Sequence, residues 1–131
     1  MRYLLLLYGD ESRWTEASPE NIQRTMADYA AFTREVEAAG AWVAGEGLQP
    51  TNAATTVRVR DGEVVLSDGP FAETREQLGG FYELECADLD EAIRWASKVP
   101  AVFAGSVEVR PVVDYEVASG RAADGAGRAQ A

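Results

Sequence analysis

The chain has 131 residues, is 47% hydrophobic and carries a formal net charge of −10, which suits one domain with a real core. That acidity argues against a nucleic-acid partner and against an anionic membrane surface, since both need a basic face. It contains no histidine, which removes Ser-His-Asp and Cys-His catalysis and the commonest metal ligand.

Acid–base chemistry, if any, falls to Asp, Glu, Tyr, Lys98 or solvent. The single cysteine, Cys86, cannot form an internal disulfide, so a reducing cytoplasm is the default location. One cysteine and no histidine also make structural zinc implausible. No stretch approaches the ~20 apolar residues of a membrane-spanning helix. Met1 to Asp10 holds only a short apolar run followed at once by acids, and reads as a buried strand rather than a signal peptide.

Residues 2–8 are apolar at nearly every position and predict a strand buried on both faces. A polar loop over 9–18 leads to Ser18-Pro19, a helix start with Ser as N-cap and Pro at the first helical position. Ile22, Met26, Tyr29, Thr33 and Val36 then recur at helical spacing, and Gly40 ends the helix. A short strand over 41–48 stops at Pro50. Residues 55–60 alternate, Asp61-Gly62 is a hairpin turn, and Val64-Val65-Leu66 returns. Residues 80–86 form another strand, with Tyr82, Leu84 and Cys86 on one face and Glu83 and Glu85 on the other. Asp88 with Glu91 resembles a capping box. The second helix it starts buries Leu89, Ala92, Ile93, Ala96 and Val99 and ends at Pro100. Residues 106–113 form the last strand. From Ala118 the chain loses periodicity, so the expected division is a domain over 1–117 and a disordered tail over 118–131.

This order predicts an α+β, ferredoxin-like fold, an antiparallel sheet with two helices on one face. The first strand then has a consequence for assembly. Its second face is apolar, burial of each Leu is worth ~1.5–3 kcal/mol, and an apolar face of that size marks an interface. A homodimer with two sheets stacked face to face is expected.

One stretch stands out, Asp68-Gly69-Pro70-Phe71-Ala72-Glu73-Thr74-Arg75-Glu76. It resembles the signature of the YCII-related family in its DGPF-domain branch. Gly47-Leu48-Gln49-Pro50, Ala54-Thr55-Thr56-Val57-Arg58, Gly79-Gly80-Phe81-Tyr82, Asp90-Glu91-Ala92 and Val107-Glu108-Val109-Arg110-Pro111 resemble the branch on either side. The resemblance implies a ferredoxin-like fold assembled as a dimeric α/β barrel. It supplies no settled function. Relatives in the wider superfamily include cofactor-free small-molecule enzymes, and genes of the branch commonly lie beside those of extracytoplasmic-function sigma factors. Other members of the family carry a histidine–aspartate pair proposed as catalytic. Without histidine that mechanism does not transfer, and Asp68 alone is carried over.

Two functions are therefore weighed. In the first, the protein is a cofactor-independent enzyme performing proton transfer, elimination or isomerisation on a small organic compound. Asp68 would be the general base, which needs partial burial to raise its pKa. Tyr8 or Tyr82 would bond a substrate oxygen, Phe71 would form an apolar wall, Glu46 would lie at the strand ends with Tyr8, and Arg110 would clamp an acidic group. In the second, it is a non-catalytic sensor or interaction protein linked to a sigma-factor stress pathway. Each residue also has a plainer role. Asp68-Gly69-Pro70 is first of all a turn, Phe71 packs beneath it, Gly79-Gly80 marks a bulge, and Arg110 pairs with Glu83 or Glu85 across strands. With no phosphate loop, flavin fingerprint or metal cluster in the sequence, no cofactor and no metal are expected.

Overall fold

The computed structural model describes residues 1–120. Their elements are β1 (Arg2–Gly9), α1 (Ser12–Thr15), α2 (Pro19–Ala38), β2 (Trp42–Gly47), β3 (Thr55–Arg60), β4 (Glu63–Asp68), β5 (Gln77–Glu85), α3 (Leu89–Ala96), β6 (Ser106–Pro111) and α4 (Tyr115–Ala118), with 3-10 turns at Thr51–Ala53 and Pro100–Phe103. The disorder expected over 118–131 falls almost entirely on residues outside the described ones.

Four strands form one antiparallel sheet in the order β2-β5-β1-β6. Leaving out the β3–β4 hairpin, this is the βαββαβ order of a ferredoxin-like fold. Alternation along β1 divides the sheet into two faces. Tyr3, Leu5 and Leu7 are buried and lie in register with Leu84, Tyr82 and Gly80 of β5 and with Pro111, Val109 and Val107 of β6. Phe32 and Val36 of α2 and Ala92 and Ala96 of α3 close over that face to make the core. Both long helices thus lie on one side of the sheet.

The helix boundaries follow from local chemistry. Ser18 Oγ accepts from the Asn21 amide at 3.2 Å and Pro19 opens α2. Gly40, at φ 74°, takes the left-handed position beyond its end, where a Cβ would be strained. Asp88 accepts from the Glu91 amide at 2.9 Å, and Glu91 reaches back to the Ala87 amide at 2.6 Å. Two expectations about the helix faces need correction. Phe32, not Met26, fills the core from α2, and Met26 is exposed. Leu89 and Ile93 of α3 are about half exposed, because an eight-residue helix turns only a narrow stripe inward.

Among the described residues the expected α/β barrel is not present: β2 and β6 are the edges of an open sheet, and β3 and β4 pair with each other as a separate two-stranded sheet. Four tilted strands of one chain are too few to close on themselves, since a side-chain-filled barrel takes about eight. β1 also alternates more than its composition implied. Leu4, Leu6 and Tyr8 on the helix-free face are half-buried rather than buried.

Candidate functional site

Tyr8 and Glu46 lie at the end of the sheet where β1 and β2 stop and β5 and β6 begin. A bulge shapes this end. Leu7 faces Gly80 while Tyr8 faces Leu78, so Gly79 is left without a partner on β1. Gly80 permits close approach of β2, since a Cβ there would lie 2.8 Å from the Glu46 carbonyl oxygen. Gly105 does the same for β6, where a Cβ would collide with the Tyr8 carbonyl.

The loops at this end are fastened by side chains. Glu11 accepts from the Thr51 amide at 2.9 Å and from the Thr51 hydroxyl at 2.5 Å. Gln77 accepts from the Glu11 amide at 3.0 Å and donates to the Thr74 carbonyl at 2.6 Å. Ser106 donates to Glu76 at 2.9 Å. Glu11 and Gln77 were not singled out from the sequence. Their partners lie 40 and 66 residues away, so no local spacing points to them.

The structure distributes the candidate residues rather than gathering them. Tyr8 and Glu46 lie on the helix-free face, Tyr8 half-buried and Glu46 exposed, with Glu46 in register with Phe81. Tyr82 points the other way into the core, with its ring 5.0 Å from Phe32 and 5.9 Å from Trp42. Burial pushes its hydroxyl pKa up. Arg110 is exposed and pairs with Glu108 of its own strand, not with Glu83 or Glu85. That pairing holds its pKa above the ordinary value. Glu83 instead pairs with Arg2 at 2.5 Å, because Arg2 and Glu83 lie diagonally across β1 and β5. Asp10 is bonded by the Ser12 hydroxyl and amide, at 2.7 and 3.0 Å, and those bonds lower its pKa.

Asp68 is exposed at the end of β4, opposite Thr55. The turn it begins is held by the Gly69 amide on the Ala54 carbonyl at 2.7 Å and by the Thr56 hydroxyl on the Gly69 carbonyl at 2.8 Å. Gly69 takes φ 94°. Phe71 is 80% exposed, so it does not pack beneath the turn among the described residues. Among the described residues no hydrogen bond or ion pair joins Asp68 to Tyr8, Glu46, Tyr82 or Arg110. A shallow groove of about 420 Å³ lies elsewhere, between α2 and the Pro100–Phe103 turn, lined by Phe32, Glu35, Lys98 and Phe103 among others. Among the described residues no group of three or more Asp, Glu or Cys is placed to hold a metal ion, and no helix is long and apolar enough to cross a membrane.

The hairpin carries an exposed apolar surface of its own. Asp61 at φ 52° and Gly62 at φ 78° make its two-residue turn, as Asp-Gly predicts. Register places Val57 opposite Leu66 and Val59 opposite Val64, so all four share one face, and each is 60–66% exposed.

Two comparisons bear on this arrangement. Residues 1–116 match a family model described as the YCII-related domain. Over 118 residues the chain is 44% identical to an uncharacterized protein of Rhizobium meliloti (strain 1021), covering 88% of this chain and 95% of that protein.

Proposed function

The chain belongs to the YCII-related domain family, and we propose that this member works as an interaction protein whose docking element is the β3–β4 hairpin. The observation that carries this reading is the uncovered apolar face of Val57, Val59, Val64 and Leu66. An isolated two-stranded hairpin is at best marginally stable in water, and an apolar face of this kind marks a contact surface. The same placement disfavours proton-transfer chemistry by Asp68 within one chain. That carboxylate is exposed, whereas a general base working near neutral pH needs burial or a like-charged neighbour. Tyr82 faces away from Tyr8 and Glu46, so these three do not surround one substrate.

Hydrogen exchange on residues 55–68 tests the reading. The purified protein would be followed over a concentration series, alone and with an extracytoplasmic-function sigma factor, the partner class that the family resemblance implies. Docking predicts slowed exchange of the hairpin amides in at least one of these series. Fast exchange throughout, together with unaltered turnover of a small organic substrate by Val57→Glu/Leu66→Glu, would return the function to the enzyme reading.

A further inference from the structure

We propose that the hairpin's partner is an amphipathic α-helix of another protein, laid along the face of Val57, Val59, Val64 and Leu66 with a Lys or Arg against Asp68. This rests on the interaction reading above and adds to it the chemistry of the element that docks.

Three observations carry it. The first is the pattern of the face. Opposed residues of an antiparallel pair share a face, so this one is built of three rungs. Val59 with Val64 lies nearest the turn, Val57 with Leu66 in the middle, and Thr55 with Asp68 at the root. Two rungs are apolar and the third carries an exposed carboxylate. Among the described residues Asp68 enters no ion pair. Arg58, Arg60 and Glu63 lie on the opposite face. A partner that covers the first face therefore meets apolar side chains and, at one end, a single unpaired negative charge.

The second observation is shape. An extended segment added to the edge of β3 or β4 would widen the two-stranded sheet and leave this face open to water, so the cover has to lie across it. Two strands with their side chains are ~10 Å wide, and one helix is ~10–12 Å in diameter. Rungs on one face repeat every two residues, so the three lie ~7 Å apart. A helix lying along the strands, apolar at i and at i+3 or i+4 and basic at i+7 or i+8, follows those rungs to within ~3 Å. The long side chain of Lys or Arg spans the remainder.

The third is what the chain itself can offer. Beyond the hairpin root, where the Gly69 amide bonds the Ala54 carbonyl, β3 and β4 pack extensively only on each other. Residues 121–131 contain no apolar side chain larger than that of Ala. The cover therefore comes from another molecule. A net charge of −10 repels further copies of the same chain and draws in a basic partner. Charge here acts on encounter and on which way round the helix lies. The four apolar residues hold it, since an exposed pair at Asp68 adds only a small factor to affinity.

The test uses the full chain and two synthetic peptides of ~15 residues, long enough to hold a helix. Both carry Leu at i, i+3 and i+4 on a background of Ala and Gln. One has Lys at i+7 and i+8, the other Glu. The Lys peptide should slow hydrogen exchange over residues 55–68 and bind wild type more tightly than the Glu peptide does. Asp68→Asn changes the net charge by only one, yet should weaken the Lys peptide by about two- to five-fold and leave the Glu peptide no weaker. Val57→Glu/Leu66→Glu should abolish binding of both, with Val57→Ser/Leu66→Ser as the milder pair. Circular dichroism and thermal melts confirm that each variant folds. Equal effects of Asp68→Asn on the two peptides, or Lys-peptide binding that survives the changes at Val57 and Leu66, would overturn the proposal. Hairpin exchange slowed by the sigma factor or by raised protein concentration, but by neither peptide, overturns the helix as occupant and leaves the interaction reading standing. A fast-exchanging hairpin in every mixture ends both.

Discussion

Gly80 and Gly9 lie on neighbouring strands at the same end of the sheet, yet only one has no room for a side chain. A Cβ on Gly80 would come within 2.8 Å of the Glu46 carbonyl, whereas a Cβ on Gly9 would meet nothing within 4 Å. The Glu46 carbonyl belongs to backbone paired with β5 and cannot swing aside as a side-chain tip would. Gly80→Ala should therefore cost ~1–3 kcal/mol, the usual range for overpacking, and Gly9→Ala should stay within ~0.5 kcal/mol of wild type. Urea denaturation of the two variants measures both, and equal losses would show that the strand end relaxes freely. The glycine pair is one place where the sequence was informative. Gly79-Gly80 between apolar residues signals a bulge, and the structure has it. The direction of Tyr82 was legible too, because Leu84 and Cys86 share its parity along the strand. The pairing of Arg110 was not. Parity places Arg110 on the open face, but the choice between Glu83 and Glu108 depends on side-chain reach across a register that no local spacing fixes.

At the scale of elements, the two layers of the core make their own prediction about alkali. Tyr29 of α2 packs against the core, and burial, then the neighbouring Tyr82, push its hydroxyl up to about 12. Cys86, just beyond β5, is buried, and its thiol is pushed up to about 11, by burial first and then by Glu91 and Glu85. Both groups are neutral when protonated, and folding holds the proton more tightly than the unfolded chain does. Their contribution to stability is complete below the ordinary values of 9.0 for the thiol and 10.0 for the hydroxyl. It is lost as pH rises through about 11 and about 12 respectively. The denaturation midpoint should thus be flat from neutral pH to about 9 and fall beyond it. Cys86→Ala should move the onset of that fall upward towards 10, and adding Tyr29→Phe should flatten it further. Midpoints collected across the alkaline range check this, and an onset unmoved by Cys86→Ala would assign the loss to other groups. A second prediction concerns the loops. Glu11 accepts two hydrogen bonds from Thr51, and a hydrogen bond to a charged group contributes ~1.5–3 kcal/mol net of exchange with water, less where the pair is open to solvent. Glu11→Ala should cost ~1–2 kcal/mol, at the lower end because the pair is only partly buried, and should speed hydrogen exchange at residues 51–54 more than in the core. The helix signals that were read correctly, Ser18-Pro19, Gly40 and Asp88 with Glu91, all act within four residues. The Glu11 clamp joins segments far apart in sequence and left no such trace.

For the whole molecule, the hairpin and the charge have to be considered together. Asp61-Gly62 and the alternation on either side made the hairpin itself readable, but not that it would stand apart from the main sheet. A period of two reports which residues share a face and is silent on what covers that face. The family resemblance supplied a barrel as the cover, and the open order β2-β5-β1-β6 removes it. The chain carries a net charge of −10, but a contact centred on the face of Val57, Val59, Val64 and Leu66 gains little from charge. Salt screens charge, with a Debye length of ~10 Å at 0.1 M and ~3 Å at 1 M, and it leaves apolar burial largely intact. Protection of the hairpin amides by a docked partner should therefore persist as sodium chloride is raised from low to molar concentration. A contact built on rim charges such as Arg58, Arg60 and Glu63 would do the opposite and loosen in salt. Hydrogen exchange of residues 55–68 across a salt series separates the two. Protection that is lost in salt would place the contact on the charged side of the hairpin rather than on Val57, Val59, Val64 and Leu66.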